Sequence, residues 1–183
     1  MKFFGENFLK TAFVLQEDEK SVEDMKRHIN DVDIIFPDWF SLPNDQCSGL
    51  ITHINTSFEQ YLVDNKKNVF PRFSNTDADG VWRGEEFIRL IKNESQGDCL
   101  IAGLKKSIQK NNVDGINLDI ENLKPDDREI LNDWLVKLVH SFHENGLAVT
   151  IDLPVNDNAF DYEFIGTIVD RVVLMAYDEH YAG

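Results

Sequence analysis

Asn117, Asp119 and Glu121 stand at alternate positions in the stretch VDGINLDIENL, 113–123. An amide and two carboxylates so spaced could hold a proton, deliver it and stabilise a nearby positive charge. Successive side chains of a strand point to opposite faces. Ile116, Leu118 and Ile120 then form an apolar face, and Gly115, Asn117, Asp119 and Glu121 form the other. Strands of a parallel sheet are covered on both faces and read as apolar runs, as Val173, Leu174 and Met175 do. A polar group buried without a partner costs roughly 2–7 kcal/mol, so the polar face needs a reason. It could belong to an edge strand with a wet face, to carboxylates satisfied by neighbouring Lys or Arg, or to a site. The three positions climb toward the C-terminal end of a mid-chain strand, where α/β folds place their chemistry, and that favours a site.

The flanking sequence alternates strand and helix. KTAFVLQ (10–16) reads as a first strand and SVEDMKRHINDV (21–32) as a helix capped by Ser21, with Asp24 at its third position. DIIFPDWFSL (33–42) begins as a second strand, a helix follows near 57–65, and KNVFPRFSN (67–75) is a third strand. RGEEFIRLIKN (83–93) and GDCLIAGLKKSIQKNN (97–112) read as two helical pieces joined by a Ser-Gln-Gly break. The carboxylate motif is the fourth strand. Pro125, Asp126 and Asp127 suit the first turn of a helix that places Leu131, Trp134, Leu135, Leu138 and Phe142 on one face and ends at Gly146. LAVTIDLPV (147–155), the short helix DYEFIGTIV and RVVLMAYDEH (171–180) complete the pattern. Such alternation argues for right-handed βαβ units and a parallel sheet. A (β/α)8 barrel needs eight strands and usually about 250 residues. The expectation is an α/β fold of the TIM-barrel type, truncated after about six β/α units, forming a single domain over residues 1–183. Its first and sixth strands would be open edges through which an oligomer could form.

The chain carries a formal net charge of −15, with 42% apolar and 28% charged residues. Such a surface repels phosphates and anionic lipid, which excludes nucleic acid as a partner and gives no membrane contact. No apolar run reaches the ~20 residues of a membrane span. The N-terminus MKFFGENFLKTAFVLQ, broken by Glu6, Asn7 and Lys10, does not read as a signal peptide. Cys47 and Cys99 have no metal-ligand spacing and leave a disulfide open. Neither a cofactor fingerprint nor a Ser-His-Asp arrangement is visible.

VDGINLDIE resembles the active-site signature of glycoside hydrolase family 18, the chitinase and endo-β-N-acetylglucosaminidase family: every constrained position is filled. LMAYD, 174–178, is similar to the strand-six Met-x-Tyr-Asp element of that family. KRHINDVDIIFPDWFSL and WRGEEF resemble, more loosely, a branch whose barrel is fused to polysaccharide deacetylase and glycosyltransferase domains. The resemblance implies an N-acetylated glycan substrate, β-linked N-acetylglucosamine polymers, and an extracytoplasmic or cell-envelope address. It implies Glu121 as general acid. Asp119 would hold the acetamido N–H, stabilise developing positive charge and raise the pKa of Glu121, and Tyr177 would hydrogen-bond the acetamido oxygen. Asp178 and Met175 would line the sugar site, and Asn117 would hydrogen-bond Asp119. Asp114 reads as structural, and Gly115 leaves room in the barrel.

The family's strand-three Ser-x-Gly-Gly is replaced by PRFSN, 71–75, which favours the fused branch. The floor tryptophan that many members take from strand eight has no counterpart here, so this chain is expected to be inactive by itself. Trp39 and Trp82 are candidate sugar-stacking residues; Phe13 reads as core. His140 and His143 do not fit a zinc motif and read as a solvated helix face. Asp152 is equally a site or a structural residue. Two rivals remain: a catalytically silent glycan-binding or scaffold domain, and a protein binding a divalent metal through Asp119 and Glu121.

Overall fold

The computed structural model of the chain describes residues 8–43, 50–111 and 113–176. The expected sites Tyr177 and Asp178 lie outside the described residues.

A curled, mostly parallel sheet forms the molecule's centre. Its strands are β1 (Thr11–Val14), β2 (Ile34–Ser41), β3 (Ile51–Thr52), β4 (Asn68–Val69), β5 (Arg72–Ser74), β6 (Gly115–Asp119), β7 (Ala148–Pro154) and β8 (Arg171–Met175). The order is β1-β2-β5-β6-β7-β8; β3 lies antiparallel on β2, and β4 also pairs β2. Helices α1 (Glu19–Arg27), α2 (Thr56–Asp64), α3 (Gly84–Lys92), α4 (Glu94–Lys110), α5 (Arg128–His143) and α6 (Tyr162–Ile168) connect the strands. The result is the half-barrel expected of a truncated TIM-type fold. Among the described residues, β1 and β8 each pair on one side.

The sheet's convex face packs on the helices through Phe73, Ile116, Leu118, Val149, Ile151 and Leu153, which meet Phe87, Trp134 and Leu138. The concave face is plugged at its base by Ile34, Phe36, Phe70 and Ala148, with Val173 against them. Phe13 belongs to this inner face, where its ring lies 4.9 Å from that of Phe36. It is 41% exposed rather than buried in the core, because it stands on the terminal strand of the row.

Local boundaries shift from the expected ones for identifiable reasons. Helix α1 starts earlier, at Glu19, because Asp18 caps it by accepting from Lys20 N–H; Ser21 Oγ instead accepts from Leu15 N–H. The third strand is split around Pro71, and the register against β2 shifts between Asp38 and Phe40. The break between α3 and α4 falls at Asn93, whose side chain caps α4, and not at Ser-Gln-Gly. Gly97 lies inside α4 because the helix runs close to its neighbours: an added Cβ would sit 3.1 Å from Ile91 O and 3.3 Å from Trp134. Gly146 (φ +71°) turns the chain out of α5 in the left-handed region that glycine tolerates.

Candidate active site

The polar row forms as the alternation predicts. Asn117 and Asp119 are buried, and parallel registers place Arg72 and Ser74 beside them on β5 and Thr150 and Asp152 beside them on β7. Gly115 at the base admits the neighbouring strand and the Phe70 ring, since a Cβ there would lie 2.2 Å from Ala148 O and 2.6 Å from Phe70. Asp114 has the structural contact expected of it, accepting from Val69 N–H at 2.9 Å.

The partners of these groups differ from expectation. Asn117 does not bond Asp119; its amide donates to Asp152 Oδ2 at 2.7 Å and its carbonyl accepts from Thr150 Oγ1–H at 2.6 Å. The β6–β7 register puts Asn117 opposite Thr150, within reach of Asp152 one layer up. Arg72 Nη1 donates to Asp119 Oδ2 at 3.2 Å. Carboxylate neutralisation by a neighbouring cation, weighed from the sequence as a purely structural arrangement, therefore exists beside the candidate acid. Asp119 Oδ1 and Asp152 Oδ1 are buried without a hydrogen-bond partner.

Burial pushes the Asp119 carboxyl above its ordinary value, and the Arg72 charge pulls it back. Asp152 is pushed up to about 7, mainly by burial and then by the Asp119 charge, with the Asn117 hydrogen bond opposing and Glu121 adding a smaller push. Asp38, on the inner face of β2, is also raised by burial; Gln16 N–H, which it accepts at 2.8 Å, and Arg72 oppose that rise.

Glu121 follows β6 and is half-buried, and its backbone is held from two sides. Asn75 donates from Nδ2 to Glu121 O at 2.8 Å and accepts from Glu121 N–H at 2.9 Å. Both contacts hold in only one orientation of the amide, which fixes its assignment. Gly84, at the start of α3, packs so tightly that a Cβ would lie 1.8 Å from Asn122 O. Asn122 itself takes φ +58°, turning the chain sharply after the acid.

Arg72 also lines a cavity of about 350 Å³ at the C-terminal mouth of the sheet, together with Leu15, Glu17, Asp38, His53 and Trp82. Trp82 is thus brought to the site region. Trp39 is not: it faces outward from β2 into the core, 1% exposed, so it is removed from any sugar-stacking role. Met175 ends β8 opposite Pro154, two residues past the inward Val173, and so lies on the inner face. On the cavity wall the fold creates a Ser-His-acid chain that the sequence does not reveal. Ser41 Oγ lies 3.1 Å from His53 Nε2, and His53 Nδ1 lies 3.1 Å from Glu17 Oε1. Glu17 is 77% exposed and Ser41 Oγ already accepts from Thr76, so we read the chain as polar lining. His140 and His143 pair with Glu144 and Asp170 on the surface of α5. Among the described residues, no group of three or more His, Cys, Asp or Glu side chains could hold a metal ion.

Asp38, Arg72 and Asn75 escape a reading of the sequence because each stands on, or just after, a strand distant in sequence from the carboxylate motif. The Pro-Arg-Phe-Ser-Asn departure at strand three was the available signal: two of its residues touch the site.

The family model for glycosyl hydrolases family 18 matches residues 30–182. The chain belongs to that family. It is 31% identical over 103 residues to the cortical fragment-lytic enzyme of Bacillus subtilis (strain 168), a match covering 51% of this chain and 24% of that protein. Its fold matches a chitinase from Chromobacterium violaceum ATCC 12472 with TM-score 0.84 at 18% identity, over 95% of this chain and 57% of the other. It also matches catalytic domain 2 of an Ostrinia furnacalis Group II chitinase, solved as a mutant in complex with penta-N-acetylchitooctaose. There the TM-score is 0.76 at 17% identity, over 94% of this chain and 51% of the other. The chain thus spans about a quarter of the curated relative and little more than half of either structure.

Proposed function

We propose that this family-18 chain is the acid-bearing part of a glycosidase acting on β-linked N-acetylglucosamine polymers, with Glu121 as general acid. The observation that carries the reading is Asp119: a buried carboxylate with one oxygen held by Arg72 and the other unpartnered, two residues before a glutamate whose backbone is clamped.

In the proposed reaction the carbonyl oxygen of the substrate's own acetamido group attacks the anomeric carbon. Glu121 gives its proton to the departing glycosidic oxygen, and an oxazolinium ion forms in place of a covalent enzyme adduct. Asp119 Oδ1 accepts the acetamido N–H, which aligns the nucleophile and offsets the positive charge. Water then adds to the anomeric carbon from the face of the departed group and loses its proton to Glu121, while the bond from that carbon to the acetamido oxygen breaks and the acetamide is restored, so configuration is retained. By the family resemblance, Tyr177 holds the acetamido oxygen, Asp178 and Met175 line the sugar site, and Trp82 offers a stacking face at the cavity. Membership in a glycosidase family does not favour the silent scaffold.

The cortical fragment-lytic relative and the glycan-bound chitinase structure support an N-acetylated polymer of the cell envelope, and so an extracytoplasmic place of action. The fusion to deacetylase or glycosyltransferase domains belongs to the same reading, and the reading frame on either side of these residues tests it. Among the described residues, no helix is long and apolar enough to cross a membrane.

The decisive experiment is turnover of N-acetylglucosamine oligosaccharides by the full-length protein. Glu121→Gln should lower kcat by about 100-fold or more, as expected for loss of a positioned general acid. Oligosaccharides lacking the acetyl groups should not be cleaved. Wild-type turnover by the Gln variant would overturn the assignment of the acid.

A further inference from the structure

The reaction above leaves Arg72 unassigned, although it is the group that touches Asp119. We propose that Arg72 is the positioning residue of this site: its guanidinium holds one carboxylate oxygen of Asp119 so that the other faces the substrate's acetamido N–H. The inference rests on the family-18 reading of Asp119 and Glu121.

Three observations carry it. First, the register of the sheet builds the contact. Arg72 lies beside Asn117 rather than Asp119, so its long side chain climbs one layer along the inner face to reach Oδ2 at 3.2 Å. A planar guanidinium on a fixed strand sets the rotation of the carboxylate it holds. Second, Asn117 does not take this duty. Both ends of its amide are engaged, with Asp152 and Thr150, on the far side of β6. Third, Asp119 Oδ1 is left buried and unpartnered in a residue only 4% exposed. A buried lone pair of that kind is costly unless a donor arrives, and an amide N–H from a ligand is such a donor.

The surrounding charges make the contact consequential. Asp119 faces Arg72 from β5 and Asp152 from β7; Glu121 follows on its own chain, and Asp38 from β2 shares the Arg72 charge. Arg72 is the charge that opposes the rise burial imposes on the Asp119 carboxyl. Without it, burial would raise the Asp119 carboxyl further, and a protonated carboxyl accepts the acetamido N–H more weakly and carries no charge to offset the positive charge that develops.

The test compares R72M and R72K with the parent full-length protein, using carboxyl-labelled aspartate to follow Asp119 by NMR and N-acetylglucosamine oligosaccharides to follow turnover. R72M should raise the Asp119 titration midpoint by about 1–3 pH units, the range an adjacent opposite charge supplies. The acid limb of kcat/KM should move up by the same amount, with kcat falling more than KM rises. R72K keeps a positive charge in the buried layer, protects the fold, and should return the midpoint most of the way while recovering only part of kcat. An Asp119 midpoint unmoved in R72M, or a midpoint that moves while the rate profile stays in place, overturns the proposal. If the parent cleaves no N-acetylated oligosaccharide, the glycosidase reading fails instead, and the NMR titration still decides whether Arg72 governs Asp119.

Discussion

Asp119 and Asp152 stand opposite each other on adjacent strands, and their partners set them apart. Asp119 has a cation; Asp152 has a neutral amide and faces the Asp119 charge. Burial, and after it the facing Asp119 charge, push the Asp152 carboxyl up to about 7. Asn75 acts differently, on backbone rather than charge. Its amide supplies one donor and one acceptor to the peptide of Glu121, so its two functions can be separated by substitution. Asn75→Asp keeps the acceptor, loses the donor and buries a charge. Chemical denaturation should show a loss of about 1–3 kcal/mol, the cost of leaving a buried carbonyl unpaired. Turnover should fall at least about tenfold as the Glu121 backbone loosens. A variant with full turnover would show that the acid is held by something else.

At the scale of elements, the site depends on how closely a helix and a strand can approach. The start of α3 touches the backbone just past Glu121 through Gly84, where a Cβ would lie 1.8 Å from Asn122 O. Backbone oxygen cannot yield as a flexible side chain would. Gly84→Ala must therefore move either α3 or the turn carrying Glu121. The expected outcome is a destabilisation of about 1–3 kcal/mol from overpacking. Because a displacement of about 1 Å near the chemistry can cost 100-fold in rate, kcat/KM should fall more steeply than stability. Equal and small losses in both would mean that the turn does not set the acid's position. Gly97 illustrates the same physics elsewhere: a glycine that reads as a helix break instead lies within α4, at a close approach to Ile91 and Trp134.

The buried acids also leave a mark on the whole molecule. A carboxyl whose folded value is raised above its unfolded value binds more protons in the native state. Its contribution to stability is complete below pH 4, near the unfolded value, and is lost as pH rises through the folded value. For Asp152 that window runs from about pH 4 to about 7, with a ceiling near 4 kcal/mol; Asp38 and Asp119 are shifted in the same direction. Urea denaturation should thus show stability declining between pH 5 and 7. Asp152→Asn, which can still accept from Asn117, should flatten that decline by a large part. An unchanged slope in this variant would mean that Asp152 ionises normally in the folded chain.

The alternation of Asn117, Asp119 and Glu121 with Ile116, Leu118 and Ile120 is enough to define a two-faced strand. The periodic helices around it define a βαβ sheet, because hydrophobic pattern is local and written in order along the chain. The partners of the polar face were not written there. Whether Asp119 meets Asn117 or Arg72, whether Asp152 belongs to the site, and whether Trp39 or Trp82 reaches the cavity depend on the register of strands far apart in sequence. A shift of one residue in that register reverses which face a side chain occupies, and only the folded sheet fixes it.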